Sequence, residues 1–355
     1  KKSKKPLIIA GNGVKQSGIA IDLYKIIKKF SIPLMTSRLA NDIYSHNDKF
    51  SLGLAGIKGS RYCKQIMEES DLILSLGCRL APQLVGHNFN VFKNAKIVSV
   101  DIENDELLKR GCKIDIAINE NLIKFIPFFN RFLIKNKTPS FKSWLSKCQT
   151  LKKNKPMINN SYLKNPIDLY YFMHKLDQIS NNKNILVTDA GSNYYVGGQV
   201  WHFTKGQKEL TSGTNAAMGL SIPLAIGAAI AEPSKQIFAV TGDGSLELNI
   251  QELKTISHYK LNIKLFVINN GGYVSMHKWQ DNIGGRRLDT AEYTGDGTLN
   301  LKKISEAFEL DYYKINNYKN IVKNLKNIRL NKSPAFIEVM CDNKQKIFNA
   351  ISDDT

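Results

Sequence analysis

Asp243 stands between two glycines at the end of an apolar run, "QIFAVTGDG" (236–244), and Asn270 closes the next such run, "IKLFVINN" (263–270). A carboxylate and a carboxamide oxygen just past two buried strands are hard oxygen donors, which suit Mg²⁺ or Ca²⁺ and not zinc. Mg²⁺ fills much of its octahedron with water and substrate phosphates, so few protein ligands are needed. Gly242 and Gly244 let the backbone approach a phosphate. Ser245 stands where the next helix is expected to begin, at an N-terminus whose unpaired N–H groups and dipole favour an anion. Read from these residues, the pair is a Mg²⁺–diphosphate site. Taken alone, GDG is also a common strand-to-helix turn and NN another turn. The two together, each closing a β-run, carry the reading.

For the two side chains to meet, their strands must be parallel neighbours joined by a crossover, and the residues between them suffice for a helix and a return strand. The rest of the chain has the same rhythm. "PLIIAG" (6–11), "IPLM" (32–35), "DLILSLG" (71–77), "KIVSVDI" (96–102) and "IDIAI" (114–118) read as buried strands, and "SGIAIDLYKIIKKF" (17–30) as an amphipathic helix between the first two. Further on, strands are expected at 185–191, 236–242, 263–269 and 335–341, and helices at 166–180, 218–231, 246–258, 300–308 and 318–329. Alternation of this kind predicts an α/β protein of two doubly wound, parallel-sheet, three-layer domains. The first domain spans 1–135 and the second 166–355. Between them, 136–165 loses hydrophobic density and gains Lys, Asn, Ser and Pro, and reads as a linker in which "FKSWLSKCQTL" can form one helix.

Composition narrows the function. With 355 residues, 43% hydrophobic and 23% charged, the sequence is that of a globular protein long enough for two cores. The net charge of +19 is spread along the chain and is mostly lysine, so it argues for attraction of small anions and against a nucleic-acid partner. The five cysteines are scattered and form no Cys-x-x-Cys pair, which points to a reducing cytoplasm and to neither a disulfide framework nor a zinc site. The longest apolar run, "AAMGLSIPLAIGAAIA" (216–231), is shorter than the ~20 residues of a membrane span and contains Pro223. No membrane partner is expected. The chain opens on "KKSKKPLIIAGNG", without an initiator Met, and reads as an internal portion of a longer protein.

The segment "GDGSLELNIQEL…INN" resembles the cofactor-binding signature of the thiamine-diphosphate-dependent enzymes, and in detail the acetolactate (acetohydroxyacid) synthase group. The resemblance implies thiamine diphosphate and Mg²⁺ as cofactors, with Asp243, Asn270 and the carbonyl of Gly272 as metal ligands. "NAAMGLSIPLAIGAA" is similar to the family segment in which a large apolar residue props the cofactor in its bent form, the place taken here by Met218; ordinary core packing is the other reading of that residue. "TDAGSNYY" (188–195) resembles the first diphosphate-contacting loop and implies contacts from Ser192 and Asn193, beside those of Gly242, Gly244 and Ser245. In "NNGGYVSMHKWQDN" (269–282), Trp279 matches an aromatic residue by the substrate channel and Gln280 the residue after it, and His277 is a candidate substrate contact or a packing histidine.

The first part resembles the family's central domain, which holds FAD in acetolactate synthases. Arg79 matches a flavin-contacting arginine, although Ala81 and Pro82 replace acidic residues common there, and "GNGVKQSG" is no dinucleotide fingerprint. The implied function is a carboligase or decarboxylase of 2-keto acids that condenses a pyruvate-derived hydroxyethyl unit with a second carbonyl, in a homodimer or homotetramer. A nucleotide keto-sugar acceptor in surface polysaccharide synthesis is an alternative, because the residues between Asn270 and Trp279 depart from typical biosynthetic synthases. A non-catalytic cofactor-binding module is another. The glutamate that activates the cofactor has no match here and is expected on a pyrimidine-binding domain preceding Lys1, so the chain alone is expected to be inactive. Glu247 and Glu252 read as helix-surface or structural residues.

Overall fold

Each predicted apolar run has the β-branched and long aliphatic residues that favour a strand buried on both faces. In β1 (Pro6–Ala10), Leu7 and Ile9 enter one core cluster while Ile8 and Ala10 enter another, none more than 1% exposed. A strand with two buried faces needs helices on both sides. A computed structural model describes residues 3–283, 297 and 299–351, apart from the side chains of Thr214, His277, Lys278, Trp279, Asn282 and Ile283. The chain forms two units.

The first unit holds β1, β2 (Leu34–Thr36), β3 (Ser51–Leu54), β4 (Leu72–Leu76), β5 (Lys96–Asp101) and β6 (Ile116–Asn119), all parallel in the order β3-β2-β1-β4-β5-β6. The helix expected over 17–30 runs from Ala20 to Phe30, preceded by a short helix Asn12–Gln16. Gly18, at φ +70, breaks the two apart. The stretch expected as a linker contains the helix Lys142–Asn154, whose Trp144, Leu145 and Cys148 are buried in the first unit, with the Trp144 indole N–H donating to the Pro6 carbonyl at 3.0 Å. The unit runs to Met157 and takes back the tail from Phe348, where the Ala350 N–H donates to the Ile57 carbonyl at 2.6 Å and Ile351 joins the core. That tail therefore belongs to the first unit and not to the second.

The second unit, Ile158–Ile347, holds β7 (Asn184–Thr188), β8 (Lys208–Thr211), β9 (Gln236–Gly242), β10 (Ile263–Asn269), β11 (Asp311–Ile315) and β12 (Ala335–Met340), also all parallel, in the order β11-β12-β10-β9-β7-β8. Two doubly wound α/β units are thus observed. One sheet face carries Ile185, Val187, Ile237, Ala239, Leu265 and Val267 under the helix Ser221–Ala231. On the other, Phe266 packs edge-on against Phe238 and Phe172, the latter from the helix Leu169–Ile179. Asp168 caps that helix by accepting from the Tyr170 N–H at 2.8 Å. The expected helix over 246–258 is interrupted at Asn249, which has φ −141 and whose amide donates to the Gly219 carbonyl at 2.9 Å. Among the described residues no helix is long and apolar enough to cross a membrane, and all five cysteines are free.

Lys264 on β10 is fully buried, its ammonium donating to the Ser333 carbonyl. Burial pulls its pKa from 10.5 down to about 8. Between those values the unfolded chain binds more protons at this position than the folded one, so the stability it contributes rises with pH across that window. Lys264→Met is expected to remove that rise and to leave stability at neutral pH unchanged or higher, by up to about 2 kcal/mol. The comparison is between urea midpoints of variant and parent on either side of the window. Buried thiols and phenols shift in the opposite sense in both proteins and cancel. An identical pH slope in the two would show that Lys264 does not titrate there.

Candidate metal and cofactor site

The sheet of the second unit reverses its winding between β7 and β9, since β8 lies outside β7 on one side and β9 follows on the other. In open parallel sheets such a switch point, at the carboxyl ends of the strands, is where ligands bind. Asp189 follows β7, Asp243 follows β9 and Asn270 follows β10. Sequence reasoning had placed the last two there, and the topology adds the first.

Asp243 is buried, at 8% exposure, and its two oxygens do different work. Oδ2 accepts from three successive backbone N–H groups, those of Asn270 at 3.1 Å, Gly271 at 2.9 Å and Gly272 at 3.1 Å. Oδ1 accepts from the Gly244 N–H at 3.0 Å, which leaves it acceptor capacity that Oδ2 lacks. Burial pushes the carboxyl above the usual aspartate range, and the four amide donors only partly pull it back. The charge is left under-compensated, as a cation site requires.

Around this carboxylate the glycines divide into two kinds. Carbon added at Gly242 or Gly271 would meet nothing within 4 Å among the described residues, which leaves room for a ligand group to come close to the backbone there. Carbon added at Gly244 would lie 2.2 Å from the Tyr273 ring. Gly244 thus serves packing, holding the turn after β9 against the turn after β10. The helix that begins at Asp243 is one turn long, Asp243–Leu246, with Gly242 as its N-cap and Ser245 buried within it. Asn270 is buried beside it, and the Gly272 carbonyl accepts from the Val274 N–H at 2.9 Å.

Asp189 is the residue that sequence reasoning missed. It is fully buried and takes hydrogen bonds from Ser221 Oγ and Thr241 Oγ1, both at 3.0 Å, and from the Ala190 N–H at 2.7 Å. It therefore ties the end of β7 to the helix Ser221–Ala231 and to the residue before the GDG turn. The signal was the same as for Asp243: an acid just past an apolar run. Asn193 supports the same corner, its Oδ1 accepting from the Asp189 N–H at 2.9 Å, and Ser192 lies 3.3 Å from Ser275 at the hydroxyls. Met218 is 36% exposed, which removes core packing as its explanation. The loop carrying it is fixed by Gly219, at φ +77 and in close contact with Leu248.

This segment coincides with a known module. The model of the thiamine pyrophosphate enzyme C-terminal TPP binding domain matches residues 189–339, and that of the central domain of the same enzymes matches 1–127. The chain belongs to the thiamine pyrophosphate enzyme family. It is 30% identical over 353 residues to the acetolactate synthase large subunit of Lactococcus lactis subsp. lactis (strain IL1403), covering 98% of this chain and 60% of that protein. To a probable acetolactate synthase large subunit of Methanococcus aeolicus it is 29% identical, over 91% of this chain and 56% of the relative. To the acetolactate synthase isozyme 1 large subunit of Escherichia coli (strain K12) it is 27% identical, over 98% and 60%. The chain spans about three-fifths of the length of these relatives.

The residues present fit what the thiamine pyrophosphate enzyme module binds. A buried carboxylate, a buried carboxamide and two glycines with room beside their backbone stand at neighbouring strand ends, and their chemistry is of the kind that a divalent cation and a phosphate take. Of the residues expected near a substrate, Gln280 lies half-buried on the helix Val274–Ile283. The side chains of His277 and Trp279 lie outside the described residues. In the first unit Arg79 is more than half exposed and its Nε is paired with Glu106 at 2.8 Å.

Proposed function

We propose that the intact protein is a Mg²⁺- and thiamine-diphosphate-dependent carboligase of 2-keto acids, with pyruvate as donor. The observation that carries this reading is Asp243, buried and under-compensated at the switch point of a matched TPP-binding module. Asp243 Oδ1 and Asn270 would hold Mg²⁺, with the Gly272 carbonyl as third ligand, and the backbone at Gly242 and Gly271 would admit the diphosphate. When bound, thiamine diphosphate supplies a thiazolium carbon that attacks 2-keto carbons and accepts the electrons left by departing CO₂. The chain's own part is to fix that cofactor: Asp189 locks the switch point through Ser221 and Thr241, and Met218, exposed on the loop before the helix Ser221–Ala231, would prop its ring system.

No glutamate of the chain matches the cofactor-activating role, and Glu252 is held by Thr255 Oγ1 at 2.9 Å on the helix after the turn. The activating acid would come from a segment beyond these residues, across a homodimer interface. FAD would bind the first unit, whose strand order β3-β2-β1-β4-β5-β6 is that of dinucleotide-binding sheets. Its Arg79 would leave a surface ion pair worth under about 1 kcal/mol to meet it. A cytoplasmic location accords with five free thiols.

The test is to incubate the intact protein with pyruvate, Mg²⁺ and thiamine diphosphate and to identify the products. CO₂ release with acetolactate is the expected result, and residues 1–355 alone are expected to give none. CO₂ without acetolactate, restored to carboligation by a nucleotide keto-sugar, would move the acceptor to that class. Absence of CO₂ from every 2-keto acid would sink the reading.

A further inference from the structure

The helices Leu169–Ile179 and Ser192–Val200 flank β7, one before it and one after. In a parallel sheet both run against the strands, so both end at the edge opposite Asp243. They are linked by Tyr170, whose hydroxyl donates to Gln199 Oε1 at 2.6 Å. Near their carboxyl ends, His174, Asp177 and His202 bring one ligand atom each to within 4.8 Å of one another. His174 and Asp177 are three residues apart on one helix face, and His202 arrives from just past the end of the other.

We infer that His174, Asp177 and His202 form a second metal site, for a borderline divalent ion of the Zn²⁺ class. The site is empty. Two imidazoles with one carboxylate suit Zn²⁺, Ni²⁺ or Co²⁺, whereas the all-oxygen cradle at Asp243 suits Mg²⁺. The spacing has the right scale. Ligands about 2.0 Å from a tetrahedral ion stand roughly 3.3 Å apart, and His202 Nδ1 lies 3.4 Å from Asp177 Oδ2. That is long for a hydrogen bond and close to the edge of a coordination tetrahedron.

A second observation points the same way. His174 Nδ1 is buried and has no hydrogen-bond partner among the described residues, which is costly for an imidazole nitrogen unless something else completes it. Lys175 follows His174 in the chain. The Lys175 ammonium is itself drawn off to Gln178 Oε1 at 2.9 Å, over the ring of Tyr171. His202 is exposed, and a small turn of its ring would let the third ligand close. Three protein ligands leave at least one position for water. Bound metal would clamp the two helices that flank the first strand of the cofactor module.

Co²⁺ is the probe, added to the full chain in a large excess of Mg²⁺ so that the oxygen site is occupied. The expected result is one Co²⁺ per chain, with visible ligand-field bands of nitrogen–oxygen coordination, displaced by Zn²⁺. His202→Ala and His174→Gln should each weaken binding at least tenfold, and together abolish the bands. Should His174→Gln fail to fold, judged by circular dichroism, His202→Ala at its exposed position decides alone. Three results would each overturn the assignment: no Co²⁺ uptake, bands that survive both substitutions, or a thiolate charge-transfer band showing that cysteines bind the ion.

Discussion

Replacing Asp243 by alanine is expected to abolish Mg²⁺-dependent binding of thiamine diphosphate and to lower the stability of the second unit by about 3 kcal/mol. The stability loss follows from geometry. The substitution strips the acceptor from four backbone N–H groups, at Gly244, Asn270, Gly271 and Gly272, around a buried carboxylate. Each such donor left unpaired in the interior costs about 1–3 kcal/mol, and relaxation of the turn recovers part of it. Asp243→Asn separates the two roles. It keeps one oxygen for the nest at 270–272 and loses the charge, so it should retain most of the stability and none of the metal-dependent binding. Denaturant unfolding gives the first quantity, and calorimetric titration of the intact protein with cofactor, with and without Mg²⁺, gives the second. Unchanged Mg²⁺ dependence in Asp243→Asn would remove this residue from the metal site.

Gly244→Ala is expected to have the next largest effect, for a steric reason. The new methyl group would lie 2.2 Å from one Tyr273 ring carbon and under 3 Å from two others. The ring must move, and with it the turn whose amides hold Asp243. Overpacking of this kind costs about 1–3 kcal/mol, and here cofactor affinity should fall with it. Adding Tyr273→Ala removes the obstacle. The double variant should therefore be more stable than the sum of the single changes predicts, by about 1 kcal/mol or more. Strict additivity in urea midpoints would show that the contact is not what constrains position 244.

How much of this was legible in the sequence depended on unbroken apolar runs. The nine strands expected from apolar runs include every central strand of both sheets. The three that went unseen, β3, β8 and β11, are all edge strands. Two of these are partly solvated: Lys208–Thr211 and Asp311–Ile315 begin on charged residues and lack a continuous apolar run. Ser51–Leu54 is cut by Gly53. Asp243 and Asn270 were legible because each ends a central strand. Asp189 has the same position on β7, yet its partners Ser221 and Thr241 are distant in sequence and meet only in the fold. The end of the first unit was illegible for a related reason. Lys142–Asn154 is mostly polar, and its three buried residues amount to one narrow stripe.

The return of the tail to the first unit has a consequence for how the chain is made. Domains synthesised first usually fold first, while the ribosome is still extending the chain. Here the order is partly reversed. The core around Ile57, Trp144 and Cys148 lacks Ile351 until the segment after the second unit emerges, whereas every described strand of that unit has by then been translated. The second sheet can close while the first unit still waits for Ile351, so of these two units the one whose strands are made earlier is the one completed later.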